Sequence, residues 1–400
     1  MDRRTLLEEM AREAGFDLVG FAPLRPPRDA ERFERWLADG RHGAMDWLER
    51  QRERIVDPRL IRPEARTLLA LGYAHSRPAQ RFAGGGRVAR YALGRDYHNV
   101  LGSKLRALAR RLVAEGLCTT PPRAIVDAGP LLERSHAAEA GLGFASKAAN
   151  LLHPRFGPWF FLCELLVDVP YEELAQRAPV PPAGSCGTCT ACIDACPTGA
   201  ILEPGVVHAP ACISYLTIEL RGAPPRETRV ATGEWLFGCD VCSEVCPWGD
   251  KAPDVAARFG DHAALREDGE ASDGALLRFL RRDERVDLAG SPLGRAKREG
   301  LARNAAIVLG NLLAAADGGG AGASAPDDGL AAARRELLTA LATDASPVVR
   351  EAAGWGLARG AARAGTDERD AARDALERAR SHESDEAAAA GLRHSLGELG

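Results

Sequence analysis

Eight of the chain's ten cysteines fall between Cys186 and Cys246. The first run reads Cys186-Gly-Thr-Cys189-Thr-Ala-Cys192-Ile-Asp-Ala-Cys196-Pro197. This C-x2-C-x2-C-x3-C-P spacing is the one with which bacterial ferredoxins wrap a [4Fe–4S] cube. Two-residue gaps let a tight loop bring three thiolates to three corners, and the fourth cysteine of such a run serves a second cluster. A second group follows, Cys239-Asp-Val-Cys242-Ser-Glu-Val-Cys246-Pro247, with Cys212 upstream of it. Two cubes need eight thiolates, and the segment supplies eight. The expected ligands are Cys186, Cys189, Cys192 and Cys246 for cluster one, and Cys196, Cys212, Cys239 and Cys242 for cluster two. The competing chemistry is zinc on four thiolates per site; the proline after Cys196 and Cys246 and the tight opening run disfavour it. Cys118 and Cys163 read as buried small apolar residues. Clusters of this kind pass electrons singly, so the rest of the chain should contain what consumes them.

The elements that must position this chemistry divide by composition. Residues 1–177 mix helical patterns (31–48 and 100–115) with short apolar runs, TLLALGY (67–73), RAIVD (123–127) and FFLCELLVDV (160–169), that read as strands. The N-terminus reads as an amphipathic helix with Leu6, Leu7 and Met10 on one face. The stretch APVPPAGS (178–185) marks a boundary, and the cysteine segment follows it. Beyond residue 255 helical periodicity takes over. RNAAIVLGNLLA (303–314) resembles REAAGWGLARGA (350–361) at an offset of 47 residues, the period of HEAT-like helical hairpins. Two unrelated Ala-rich helices are the plainer reading, and GGGAGASAPDDG (318–329) reads as a flexible loop. The expected class is therefore α+β. It comprises an N-terminal α/β domain (1–177), a two-cluster ferredoxin-like domain (178–255), a basic helical connector (256–300) and HEAT-like repeats (301–400).

Composition narrows the function. With 52 basic and 56 acidic residues the net charge is −4, so a nucleic-acid contact must come from a local basic patch. The segment 275–304 is such a patch, with Arg278, Arg281, Arg282, Arg285, Arg295, Lys297, Arg298 and Arg303 against four acids. A solvated face of paired charges is the alternative reading of each. No apolar run approaches the ~20 residues that span a bilayer, and the N-terminus lacks a signal-peptide core, so no membrane role and a cytoplasmic location are expected. Ten cysteines in a reducing compartment argue for metal or redox work rather than disulfides. Nothing demands an oligomer, and a monomer is the default.

Several segments resemble the epoxyqueuosine reductase family: GRHGAMDWLER (40–50), RYALGRDYHNVL (90–101), VDAGPLLERSHAAEAGLGFASKAANLL (126–152), FFLCELLVDVP (160–170), CISYLTIELRGAPP (212–225) and FGCDVCSEVCPW (237–248). The ISYLTIE stretch beside Cys212 is the most specific of these. The resemblance implies a cobalamin-dependent oxidoreductase that removes the epoxide oxygen of epoxyqueuosine at the wobble position of tRNA. The products are an alkene and water, at a cost of two electrons and two protons. It implies two [4Fe–4S] clusters feeding cobalamin and an external low-potential donor such as a flavodoxin or ferredoxin. It also implies a tRNA anticodon stem-loop as partner.

Opening an epoxide leaves an alkoxide that needs a positioned acid. Asp127 is the expected donor, as the family's matching aspartate is; donation near neutral pH would require burial to raise its pKa. Asp127 is equally a good turn residue in Asp-Ala-Gly-Pro. The sequence Asp96-Tyr97-His98-Asn99-Val100-Leu101-Gly102 comes close to the Asp-x-His-x-x-Gly cobalt-ligating motif but carries one residue too many. The resemblance implies no protein histidine on cobalt, so His98 is read as structural or pocket-lining. His42 and His153 are read as surface or loop residues. Contacts to cobalamin are expected from Asp127, Lys147, Leu151 and Leu162, from Ser214, Cys239 and Asp240 beside cluster two, and, on a looser match, from Arg54. The competing functions are a corrinoid iron–sulfur reductase of a small molecule, of the reductive-dehalogenase kind, and an electron-transfer subunit with no substrate.

Overall fold

The computed structural model describes residues 2–82, 85–175, 184–250, 252–260, 274–281, 286–316, 327–362 and 364–399. The anticipated linker 178–185 lies outside these apart from its last two residues, as does most of the loop 318–329 and, in the basic segment, Arg282 and Arg285. The chain forms two compact units. One contains Met1–Pro78, Gly94–Pro210 and Asp240–Gly260; the other contains Ala79–Leu93, Ala211–Cys239 and Asp261–Gly400.

The first unit is built on a four-stranded sheet of β1 (Leu18–Pro23), β2 (Thr67–Ala74), β3 (Arg123–Ile125) and β4 (Phe160–Val167). The strand order is β1-β2-β4-β3. β2 is buried at every position, which is why its sequence is a continuous apolar run and not an alternation. It pairs with β4 over its whole length, Leu71 facing Cys163 and Ala70 facing Glu164. Every pairing in the sheet is antiparallel. That corrects the α/β expectation for residues 1–177. The chain does cross over between β2 and β3, through the helix Tyr97–Ala114, but β4 lies between those two strands and runs opposite to both, so no two neighbouring strands are parallel.

Three helices of this unit matter for the site. α1 (Arg3–Glu13) buries Leu7, Met10 and Ala11. α2 (Tyr97–Ala114) is started by Asp96, whose carboxylate accepts the His98 N–H, and it buries Leu101, Leu105, Leu108 and Leu112 on one stripe. α3 (Glu133–Glu139) follows the turn after β3. The helix expected over 31–48 divides into Ala30–Ala38 and Trp47–Arg50, with a turn between them at two left-handed glycines, Gly40 and Gly43. His42 lies in that turn as a loop residue. It is buried, however, against Trp36, with Nε2 3.2 Å from Glu49, and is not a surface group. Cys118 and Cys163 are buried, as expected.

The second unit is largely helical: α4 (Ile213–Ile218), α5 (Lys297–Ala316), α6 (Asp327–Thr343), α7 (Pro347–Ala361), α8 (Thr366–His382) and α9 (Glu386–Gly397). β5 (Trp235–Phe237) pairs in parallel with the two-residue strand Arg87–Val88. The two similar segments are the buried helices α5 and α7, which pack on each other. They touch backbone to backbone, because a methyl group on Gly310 would lie 2.5 Å from the Cα of Gly356.

The basic segment is corrected by its partners. Arg281 bonds Glu336, Arg295 forms a bidentate pair with Glu219, and Arg298 reaches Asp344. Arg303 has no exposure. Its guanidinium donates to the carbonyls of Leu216, Leu220 and Gly222 and to the Asn304 side chain. Asn304 in turn donates to Thr217 O and Leu236 O. A residue counted in the basic patch is thus a core clamp. It ties α5 to α4, which follows Cys212, and Asn304 ties it to β5, which precedes Cys239. Among the described residues no helix is long and apolar enough to cross a membrane.

Candidate active site

Asp127 stands two residues beyond β3 in a left-handed backbone conformation, φ 53°, which costs a non-glycine residue on the order of 1 kcal/mol. Its N–H donates to Glu133 Oε1 at 2.9 Å, which holds the turn in that conformation. Gly129 is required in the same turn, since a Cβ there would lie 2.2 Å from Ile125. The Asp127 carboxylate accepts from the Tyr97 hydroxyl and lies 3.5 Å from His98 Nε2. His98 Nδ1 is 2.8 Å from Asp96 Oδ1, so the imidazole is held between two carboxylates. Tyr97 stacks on Phe161 of β4, with centroids 4.2 Å apart.

The charges follow from these contacts. Burial works against a charged His98, but its hydrogen bonds to Asp127 and Asp96 push its pKa up to about 9. Burial would raise the Asp127 pKa, yet the His98 and Tyr97 hydrogen bonds hold it below the ordinary carboxylate value. The raised pKa expected for Asp127 is therefore not found. Its side chain is 59% exposed, because it opens into a cavity while its hydrogen-bonding face is enclosed. The raised carboxyls are two others. Burial and the neighbouring Asp127 charge push Glu133 up to about 7. Glu164, on β4 and with no exposure, is raised well above its usual range by burial and by the Glu133 charge. Neither Glu164 oxygen meets a hydrogen-bond donor among the described residues, so burial beside Glu133 favours the neutral, protonated carboxyl there.

Asp127 and Glu133 line one cavity of about 430 Å³ whose other walls include Trp36, Trp47, Leu131, Arg134 and Leu151. Apolar walls with a few convergent polar groups suit a large organic ligand. The Trp47 indole N–H is buried there without an acceptor among the described residues, and an amide-rich cofactor would supply one. On these observations the residues fit cobalamin.

Cys186, Cys189, Cys192 and Cys246 line a second cavity, together with Cys242 and Trp248. Burial raises the Cys192 and Cys246 thiols, as do the nearby Cys186 and, for Cys246, Cys189. Four thiols lining one cavity suit a cluster that binds them as thiolates. Ser146 and Asn150 line both cavities. The loop between them is tight: Ser146 N–H bonds Asn150 O at 2.8 Å, and Asn150 Nδ2 reaches Ser243 Oγ at 3.3 Å. A single wall thus separates the thiols from the acids.

Of the residues expected at cobalamin, Asp127 and Leu151 line the cavity. Lys147 is not among its lining residues; its Nζ bonds Gly187 O at 2.8 Å in the cysteine loop. Leu162 is a half-buried residue of β4, Asp240 is buried ahead of the helix Val241–Glu244, and Arg54 is exposed on the short helix Arg52–Val56. Ser214 and Cys239 belong to the second unit, as does Cys212, while Cys196 and Cys242 belong to the first. Tyr97, Glu133, Glu164 and Trp47 were missed by sequence reasoning. Only Glu164, a charge inside the apolar run FFLCELLV, left a visible signal.

Residues 185–249 match a family model described as a 4Fe-4S double cluster binding domain, and residues 56–128 match one described as Epoxyqueuosine reductase QueG, DUF1730. The chain is 38% identical over 370 residues to an epoxyqueuosine reductase of Xanthomonas campestris pv. campestris, covering 90% of this chain and 96% of that protein. A crystal structure of a selenomethionine-labelled epoxyqueuosine reductase superposes with a TM-score of 0.80 at 28% identity, covering 99% of this chain and 98% of the other. A second, solved with an epoxyqueuosine-modified tRNA-Tyr stem loop, gives 0.76 at 27% identity and the same coverage.

Proposed function

The chain belongs to the epoxyqueuosine reductase family, and we propose that it carries out that family's reaction, reducing epoxyqueuosine to queuosine at the tRNA wobble position. The observation that carries this reading is the shared wall. Ser146 and Asn150 face the thiols of Cys186, Cys189, Cys192 and Cys246 on one side and the cavity of Asp127 on the other. Electrons and protons therefore meet across one loop.

The segment 185–249 holds two [4Fe–4S] clusters. Cys186, Cys189, Cys192 and Cys246 bind cluster one, and Cys196, Cys212, Cys239 and Cys242 bind cluster two. Cobalamin, bound in the cavity, supplies a strongly reducing metal centre. Asp127, Leu151 and Trp47 contact it there, and Lys147, Leu162, Arg54, Ser214, Cys239 and Asp240 remain proposed contacts. The chain's own residues handle the oxygen: Tyr97 and His98 fix the Asp127 carboxyl at the mouth, and the apolar walls keep bulk water from the reacting base. The target base must leave its stack to enter.

The arrangement proposed is a catalytic domain (1–177), a ferredoxin-like domain (178–255), a connector (256–300) and HEAT-like repeats (301–400) that offer the anticodon stem a surface. The enzyme acts as a cytoplasmic monomer fed by a low-potential flavodoxin or ferredoxin. Mass analysis of tRNA nucleosides from a strain lacking the gene tests the reading. Accumulated epoxyqueuosine, cleared on re-expression, is expected; an unchanged nucleoside profile defeats it.

A further inference from the structure

The reaction proposed above consumes two protons, and the site's chemistry accounts for one poorly. Deoxygenation breaks both C–O bonds of the epoxide, consumes two electrons, which the corrinoid would supply, and two protons, and releases the oxygen as water. One proton reaches the oxygen as the ring opens, and the second as the hydroxyl departs. Asp127, hydrogen-bonded by Tyr97 and next to His98, is a carboxylate at neutral pH and must be recharged between steps.

Glu133 lies beside it. Its carboxyl lines the same cavity, accepts the Asp127 N–H at 2.9 Å and neighbours the fully buried Glu164. Neither Glu164 oxygen has a hydrogen-bond partner among the described residues, and of the two neighbouring carboxyls Glu133 is the one that lines the cavity. We propose that Glu133, backed by Glu164, is a second acid of this site and supplies one of the two protons that deoxygenation consumes. Both carboxyls are protonated before the step; the Glu133 O–H bond breaks, the substrate oxygen gains that proton, and Glu133 becomes a carboxylate beside Glu164, which keeps its own proton. This inference rests on the deoxygenation reading.

The groups facing Glu133 set its behaviour. Burial and then the Asp127 charge, from the turn after β3, raise its pKa, while Glu164 on β4, the Asp127 N–H and Arg134 on its own helix lower it. The Cys163 thiol on β4 stays neutral, and His98 with Asp96 lies beyond Asp127. Glu133 therefore titrates near 7, where a general acid works best.

The test is single-turnover reduction of an epoxyqueuosine stem loop by the cluster- and cobalamin-loaded protein across pH. Glu133→Gln keeps an oxygen to accept the Asp127 N–H and an amide to meet Glu164. It should fold normally, lose about 100-fold in rate and lose the limb near pH 7. Glu164→Leu removes the neighbour that lowers Glu133, so the limb should move to higher pH. Glu133→Gln within about threefold of wild type, or a limb unmoved in both variants, overturns the inference. If Glu133→Gln does not fold, infrared spectra of the wild-type holoenzyme decide. A deuterium-sensitive protonated-carboxyl band that fades between about pH 6 and 8 is expected, and its absence overturns the proposal. A wild-type enzyme with no activity on the stem loop would defeat the functional reading instead.

Discussion

Glu164 and Arg303 are both fully buried ionisable residues, and they solve the cost of burial in opposite ways. Arg303 keeps its charge. Burial lowers its pKa only to about 10, and its donors are spent on three main-chain carbonyls and the Asn304 side chain. Glu164 gives up its charge and holds a proton next to Glu133, at the edge of a cavity. A saturated network is a fixed strut. A network with a proton in excess and a way out is chemistry. The contrast separates a residue that the sequence shows as a lone charge inside an apolar run, Glu164, from one that it shows as a member of a charged segment, Arg303.

The largest effect should come from the open network. Asp127→Asn should cut turnover by about 1,000-fold while changing folding stability by no more than about 1 kcal/mol. A loss of rate under tenfold would remove Asp127 from the acid's role. Breaking the closed network should do the reverse. Arg303→Met strands three buried carbonyls and the Asn304 amide oxygen, and urea denaturation should show a loss of about 3 kcal/mol or more. A loss under about 1 kcal/mol would mean the clamp is dispensable.

The next effect is smaller and depends on pH. The folded-state pKa of His98 is raised to about 9, so its stabilisation is complete below about 6.5 and disappears as pH rises through about 9. The His98 side chain is 38% exposed, and solvent screening reduces the contribution to about 1 kcal/mol. Wild-type stability should decline over that interval, and His98→Gln should flatten the decline. An identical slope in both proteins would show that the imidazole is not charged by Asp96 and Asp127. The smallest change should be Arg295→Ala. Its bidentate partner Glu219 is a surface pair with the arginine 53% exposed, worth under about 1 kcal/mol. A larger loss would place the outer arginines with Arg303 rather than in contrast to it.

What the sequence made legible follows a physical line. The cysteine pattern is readable because one short loop wraps one cube, so the chemistry is written as local spacing. β2 and β4 are readable because burial on both faces writes a continuous apolar run. Asp127 was reached through a family resemblance, and its pKa was misjudged because the partners that lower it, Tyr97 and His98, sit on another element. Glu133 and Glu164 meet only when α3 packs on the sheet, 31 residues apart, and no spacing announces that. Arg303 was misread for a related reason: counting charges along 275–304 carries no information on which of them face water.

The central claim is that electrons gathered by eight thiolates and protons passed on by Asp127 and Glu133 meet in one cavity to strip an oxygen from a tRNA base. Anaerobic reaction of the reduced, fully loaded protein with an epoxyqueuosine stem loop, followed by nucleoside mass analysis, tests it directly. The account predicts loss of one oxygen atom to give queuosine in wild type and almost none in Asp127→Asn. An unaltered nucleoside from wild-type protein that carries both clusters and cobalamin would contradict it.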